Sequence, residues 1–280
     1  MELGIRAHDL GKLSIEESAE LIAGLGLSRV QLAPGKAVVG WTEVAEEGQT
    51  VLADEIAQTY RERGIEIAVL GCYIDPVHPD REERRKNLER FASYLELARS
   101  FGAPVVGTET GDPDRLGSGQ AFDILLEGIG DLLKAAEREG VSIGIEPVAE
   151  RHTLSTWERV EELLTRYPTP RLGLIYDPVN IFPVRKPVDM ESEVRGFFER
   201  FGDRILAIHA KDLDYSGGEK EWRLPAGAGE LPYGTLCRCI ADYTPQAPLL
   251  LENTDPATAA AAVAYARSQW EEAFSRGATN

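Results

Sequence analysis

Cysteine is scarce in this sequence: three residues in 280, Cys72, Cys237 and Cys239, too few and too closely spaced for a disulfide framework. Cys237 and Cys239 fall in a stretch, 233–243, that reads as helix, where residues two apart point to different faces. They read as structural thiols and not as a metal or redox pair. Long apolar runs are also missing, and nothing approaches the ~20 residues needed to span a bilayer. Basic residues are few, 30 Lys and Arg against 47 Asp and Glu, which gives a net charge of −17 and a pI near 4.8. A nucleic-acid partner needs a basic surface to replace phosphate counterions, so none is expected, nor is an anionic membrane surface. A small, weakly charged substrate suits this balance better, with most of the acidic excess on solvated helix faces. The first residues, Met1-Glu2-Leu3-Gly4-Ile5-Arg6, lack the basic and then apolar character of a signal peptide, so a cytoplasmic location is expected.

What the sequence does contain is alternation. Short apolar runs rich in β-branched residues occur at 3–8, 29–33, 66–73, 104–109, 141–147, 171–177, 205–211 and 248–252. Longer amphipathic stretches lie between them. Residues 14–26 open with Ser14-Ile15-Glu16-Glu17, a capping-box pattern. Residues 81–101 put Leu88, Phe91, Leu95 and Ala98 on one stripe before Gly102, and 118–139 repeat the scheme before Gly140. Residues 155–167, 191–201, 233–243 and 256–270 complete the helices, with Asp255 placed to cap the last and a long loop at 180–190. Strands alternating with helices imply parallel sheet, and eight units favour closure. The expectation is a (β/α)8 TIM barrel, a single domain spanning 1–280.

Four of the later strands end in metal-ligand types: Ile145-Glu146-Pro147, Tyr176-Asp177-Pro178, Ile208-His209-Ala210 and Leu251-Glu252-Asn253. Each acid alone reads as a helix cap or surface charge, and His209 alone as a hydrogen-bonded rim histidine. Four together, at the rim where barrel enzymes build their sites, point to one ion. Alternation supports this, because Ser142, Gly144 and Glu146 share a face opposite Ile143 and Ile145. His209 and Lys211 likewise share a face opposite Leu206 and Ile208. Three carboxylates and one imidazole suit Mn²⁺ or Mg²⁺, with Co²⁺ or Zn²⁺ also admitted. His8, Tyr73 and Glu109 end strands one, three and four, where substrate contacts would fall; Glu109 reads equally as a further acid or a capping carboxylate. Lys211 reads as a group polarising a substrate oxygen or as one half of a rim salt bridge. Trp41, in the loop at 34–50, reads as part of a lid or as outer packing, and Trp222 with Arg223, in the loop at 212–229, is equally open.

These strand ends, with Tyr176-Asp177-Pro178-Val179-Asn180, Ile208-His209-Ala210-Lys211-Asp212 and the loop Pro225-Ala226-Gly227-Ala228-Gly229-Glu230, resemble the xylose isomerase-like barrels over nearly the whole chain. That superfamily includes sugar phosphate isomerases and epimerases, ketose 3-epimerases, inosose dehydratases and the endonuclease IV group. The resemblance implies a metal quartet of Glu146, Asp177, His209 and Glu252. It further implies proton transfer beside a carbonyl through a metal-stabilised enediolate, on a small sugar or polyol. Glu146 and Glu252 would be the acid/base pair, Lys211 would assist, and His8, Glu109 and Asn180 would contact substrate. An inosose-type dehydratase is the alternative, and a metal-dependent hydrolase of the endonuclease IV type is a further one. Epimerase and endonuclease members often carry histidine where this chain has Asn180, and its histidines, His8, His78, His152 and His209, are too few for a three-metal site. Family members commonly form dimers or tetramers, so a homo-oligomer is in view.

Overall fold

Alternate residues along each apolar run face inward and outward, which gives the sheet an inner and an outer apolar face. The computed structural model describes residues 1–41, 48–113, 116–185 and 187–275. Its parallel strands are β1 (Leu3–Arg6), β2 (Arg29–Leu32), β3 (Glu66–Gly71), β4 (Val105–Thr108), β5 (Ser142–Ile145), β6 (Leu172–Tyr176), β7 (Ile205–Asp214) and β9 (Leu249–Leu251). Each pairs with its neighbour, β6 joins β7, β7 joins β9, and β9 returns to β1. The result is the expected closed (β/α)8 barrel. One strand is extra: β8 (Glu221–Pro225) runs antiparallel to the outer end of β7, so the presumed loop at 212–229 is partly a hairpin.

The helices around the barrel are α1 (Ile15–Gly24), α3 (Gly48–Glu62), α4 (Arg81–Phe101), α5 (Ser118–Glu139), α6 (Trp157–Arg166), α8 (Met190–Phe201), α9 (Tyr233–Tyr243) and α10 (Ala259–Ser275). Two single turns, α2 (Pro34–Ala37) and α7 (Pro178–Ile181), follow β2 and β6. The capping box of α1 is present, with Ser14 and Glu17 each accepting from the other's backbone N–H. Gly102 ends α4 at φ 66°, a left-handed conformation that a side chain would strain. The sequence reading named no helix after strand two, and α3 stands there. Its buried stripe is thin and alanine-rich, Ala53, Ile56, Ala57 and Tyr60, and is diluted by Asp54, Glu55, Gln58 and Arg61. Asp255 does cap, accepting from Ala257 and Thr258, but the regular helix starts only at Ala259.

Outward-facing Ile143, Ile145, Leu172, Leu174, Ile208 and Leu251 pack beneath the helices in the main core. Burying each such side chain stabilises by about 1.5–3 kcal/mol before entropy is charged. The barrel interior is a second cluster, Val69, Val105, Ile175, Ala207 and Leu250. Ile175 fills the space that Gly107 and Gly144 leave, since a Cβ would lie 2.6 Å from Ile175 Cδ1 at the first and 3.0 Å from Cγ1 at the second. That apolar layer is the floor of the site above it.

All three cysteines are buried with no disulfide, and burial pushes the Cys237 thiol up to about 12, in keeping with a structural role. Trp41 is buried with its ring 5.6 Å from that of Phe101, which is the packing alternative; residues 42–47 of its loop lie outside the described residues. Among the described residues, no helix is long and apolar enough to cross a membrane.

Candidate metal centre

The inward register that sets the floor also sets the rim. Two residues beyond Gly144, Ile175, Ala207 and Leu250 stand Glu146, Asp177, His209 and Glu252. Strand pairing holds them level: the Glu146 N–H donates to Thr108 O at 2.9 Å and the Glu252 N–H to Ala210 O at 3.1 Å. Asp177 caps α7 by accepting from the Asn180 N–H through Oδ1 at 3.1 Å, which turns Oδ2 inward. The four side chains are buried, and one ligand atom from each lies within 4.8 Å of the others. His209 Nδ1 is 2.9 Å from Glu252 Oε2, 3.4 Å from Glu146 Oε2 and 4.0 Å from Asp177 Oδ2. Buried polar atoms are normally satisfied, yet Asp177 Oδ2, His209 Nδ1 and Glu252 Oε2 make no aligned hydrogen bond. Carboxylate oxygens and one imidazole nitrogen turned to a common point fit a divalent cation.

The outer atoms of the quartet are held by neighbours. His209 Nε2 lies 2.8 Å from Gln31 Oε1, and the Gln31 amide donates to the Tyr73 hydroxyl at 3.0 Å. Asn180 donates to Glu146 Oε1 at 2.6 Å and accepts from Lys211 Nζ at 2.8 Å. Lys211 Nζ also lies 2.8 Å from Asp177 Oδ2 and 3.1 Å from Glu252 Oε1, so it is a buried ion-pair partner of the site and not a rim charge. Arg6 places Nη1 2.9 Å from Glu252 Oε1 and grips Asp9 with Nε and Nη2.

Charge shapes the titration of the group. Burial opposes ionisation of Glu252, but Lys211, Arg6 and His209 outweigh it and hold the carboxyl well below its usual range. Glu146 is lowered less decisively, burial being offset chiefly by His209. Asp177 goes the other way, lifted to about 6 by burial against the pull of Lys211. For His209 burial favours the neutral ring, but Glu146 and Glu252 raise it to about 10.

The sequence matches the xylose isomerase-like TIM barrel family over residues 8–271. The chain belongs to that family. Among curated proteins it is similar to a 3-dehydroshikimate dehydratase of Pseudomonas aeruginosa, 24% identical over 195 residues, 68% of this chain. The matched region is only 29% of that relative's length. Among solved structures, a D-tagatose 3-epimerase-like protein superposes with a TM-score of 0.78 at 15% identity, over 99% of each chain. The IolI protein with a bound zinc atom superposes with a TM-score of 0.73 at 14% identity, also over 99% of each chain. At such identities these two structures establish the shared fold.

Above the quartet of this xylose isomerase-like barrel opens a cavity of about 310 Å³, whose lining includes Glu109, Asn180, Lys211, Glu252 and Trp222. Glu109 thus stands at the mouth, its carboxylate 3.6 Å from His152 Nε2 and raised to about 7 by burial and by Glu146 and Glu252. His8 does not line this cavity. It sits in a 3-10 turn (Ala7–Leu10), its ring 6.0 Å from that of Tyr73, and burial lowers it to about 4. Sequence reasoning passed over Arg6 and Gln31, although the signal was there: each shares its strand's inward face, opposite Ile5 in β1 and Val30 in β2. It also gave no task to Asp212, which accepts from the Leu213, Gly227 and Leu231 N–H groups and so shapes the Pro225–Glu230 loop.

Proposed function

We propose that this chain is a divalent-metal-dependent isomerase or epimerase that moves a proton at a carbon beside the carbonyl of a small polyhydroxy substrate. The observation that carries the reading is the buried convergence of Glu146, Asp177, His209 and Glu252 on one point, with ligand atoms turned toward one another beneath an open cavity. Mn²⁺ or Mg²⁺ suits this donor set, and such an ion supplies charge stabilisation for an enediolate.

The rest falls to the chain's own side chains. Glu146 and Glu252 approach from β5 and β9, the outer two of the four strands, so they flank the reacting carbon from two sides. The outer oxygen of Glu146 receives only a neutral amide, from Asn180, whereas that of Glu252 lies against two cations. Glu146 is therefore the stronger base and takes the proton; Glu252 faces the opposite side. Asp177 and His209 bind the ion. Lys211 spends its three donors on Asp177, Asn180 and Glu252, holding them in place and lending its positive charge to the site, and Glu109 and Asn180 contact substrate hydroxyls.

Dehydration is the second reading, supported by the resemblance to the Pseudomonas dehydratase, since it shares the first step and then loses a β-hydroxyl. Incubating Mn²⁺-loaded protein in D₂O with ketoses, an inosose and 3-dehydroshikimate tests both. Isomerase or epimerase action shows as one deuterium gained without loss of mass elsewhere, dehydratase action as loss of water, and both vanish in Glu146→Gln. Metal-loaded protein that exchanges no α-proton in any of these would overturn the reading.

A further inference from the structure

For a chain of net charge −17, the mouth of the cavity has the wrong sign. Arg151, Lys220 and Arg223 all line it, together with Trp222. The cations deeper in the site are already matched: Arg6 by Asp9 and Glu252, Lys211 by Asp177 and Glu252. The three at the mouth are not. Among the described residues none of them forms an ion pair. Lys220 spends two of its donors on neutral carbonyls, Val179 O at 2.7 Å and Phe182 O. The guanidinium carbons of Arg151 and Arg223 lie 4.7 and 4.5 Å from the centre of the Trp222 ring. Two carboxylates border the same space, but Glu252 is neutralised and Glu109 faces His152.

Stacking on an indole orders a guanidinium without using its N–H groups, so two donor forks stand ready for an anion. Their platform is fixed, because β8 is paired to β7 and the Trp222 carbonyl accepts from Asn253 Nδ2 at 3.2 Å. Asn253 follows the metal-ligand candidate Glu252 directly, so this edge of the mouth is tied to the centre. A cluster of positive charge that forms no ion pair among the described residues, inside an acidic molecule, favours a negative ligand group over a hydroxyl.

We propose that Arg151, Lys220 and Arg223 form an anion subsite, and that the substrate of the metal centre carries a carboxylate or phosphate ester at the end remote from the reacting carbonyl. The proposal rests on the metal-centre reading given above and replaces the weakly charged substrate that overall charge alone suggests.

Binding of four probes to Mn²⁺-loaded protein, measured by calorimetry, tests it: shikimate against methyl shikimate, and fructose 6-phosphate against fructose. The charged member of at least one pair is expected to bind tenfold or more tightly than its neutral counterpart, and the pair that shows this identifies the anion. The double variant Arg151→Ala/Arg223→Ala, both positions being exposed, should lose that advantage while leaving binding of the neutral probe and the melting temperature unchanged. Equal binding of charged and neutral probes, a preference that survives in the double variant, or failure of all four to bind would each overturn the subsite. α-Proton exchange without an anion preference would overturn the subsite alone; an anion preference without exchange would support it and overturn the proton-transfer chemistry alone.

Discussion

Gln31 accepts at Oε1 from the Nε2–H of His209 over 2.8 Å, and its own amide is oriented by the hydroxyl of Tyr73. Because the Gln31 NH₂ is occupied, its oxygen must face the ring. Nε2 then keeps its proton in either charge state, and Nδ1 is the nitrogen that can give up a proton and offer a lone pair to the centre. Removing such a support usually weakens metal binding 10–100-fold. Gln31→Ala is expected to lose about that much Mn²⁺ affinity in a chelator competition, with little change in melting temperature.

His209 also sets how metal uptake follows pH. Glu146 and Glu252 raise the imidazolium to about 10, so the ring is charged at neutral pH when only carboxylates surround it. A cation at Nδ1 requires the neutral ring and must expel that proton. Affinity therefore rises with pH below about 10, by up to about tenfold per unit. Calorimetric titrations with Mn²⁺ in two buffers of different ionisation enthalpy should show about one proton released per ion; release of none would contradict the assignment.

Asn180 joins the proposed base to the lysine through one amide, donating to Glu146 and accepting from Lys211. Leucine at this position would free both groups and let the carboxylate swing. Misplacement of about 1 Å costs roughly 10²-fold in rate. Asn180→Leu should therefore slow α-proton exchange by about that factor while metal content per chain stays the same.

Below the centre, Gly107 yields its volume to the floor. An added Cβ would lie 2.6 Å from Ile175 Cδ1 and 2.9 Å from Val69 Cγ1. Overpacking of this kind costs about 1–3 kcal/mol, or roughly 2–4 °C of melting temperature per kcal/mol for a protein of this size. Gly107→Ala should melt lower by that amount, and Gly107→Ala/Ile175→Val should recover part of the loss in scanning calorimetry.

The barrel and its quartet were legible because both rest on period-two alternation: apolar residues outward, and one polar residue where the run stops. Asp177 and His209 follow that rule, and so do Arg6 and Gln31. The latter two were missed because an arginine or glutamine at a strand end is not a ligand type, and only the fold shows it gripping Glu252 or His209. Helix α3 was lost because its buried apolar residues, two of them alanines, lie among many charged ones and leave a weak stripe. The β7–β8 hairpin was lost because Glu221-Trp222-Arg223 lies over the mouth with little of its surface buried, so burial left no pattern in its sequence. His8 ended an apolar run and so looked like a rim residue, but the chain turns at Ala7 and lays the ring against Tyr73.

Trp222 has one more consequence. Of the four tryptophans, Trp41 packs on Phe101, Trp157 on Phe197 and Trp270 on Phe274, while Trp222 alone borders the cavity. The protein therefore carries its own optical reporter. A ligand that draws Arg151 or Arg223 away from the indole alters the field around that ring and nowhere near the other three. Its arrival should register as a change in intrinsic emission that disappears in Trp222→Phe, which makes occupancy measurable before any product is known.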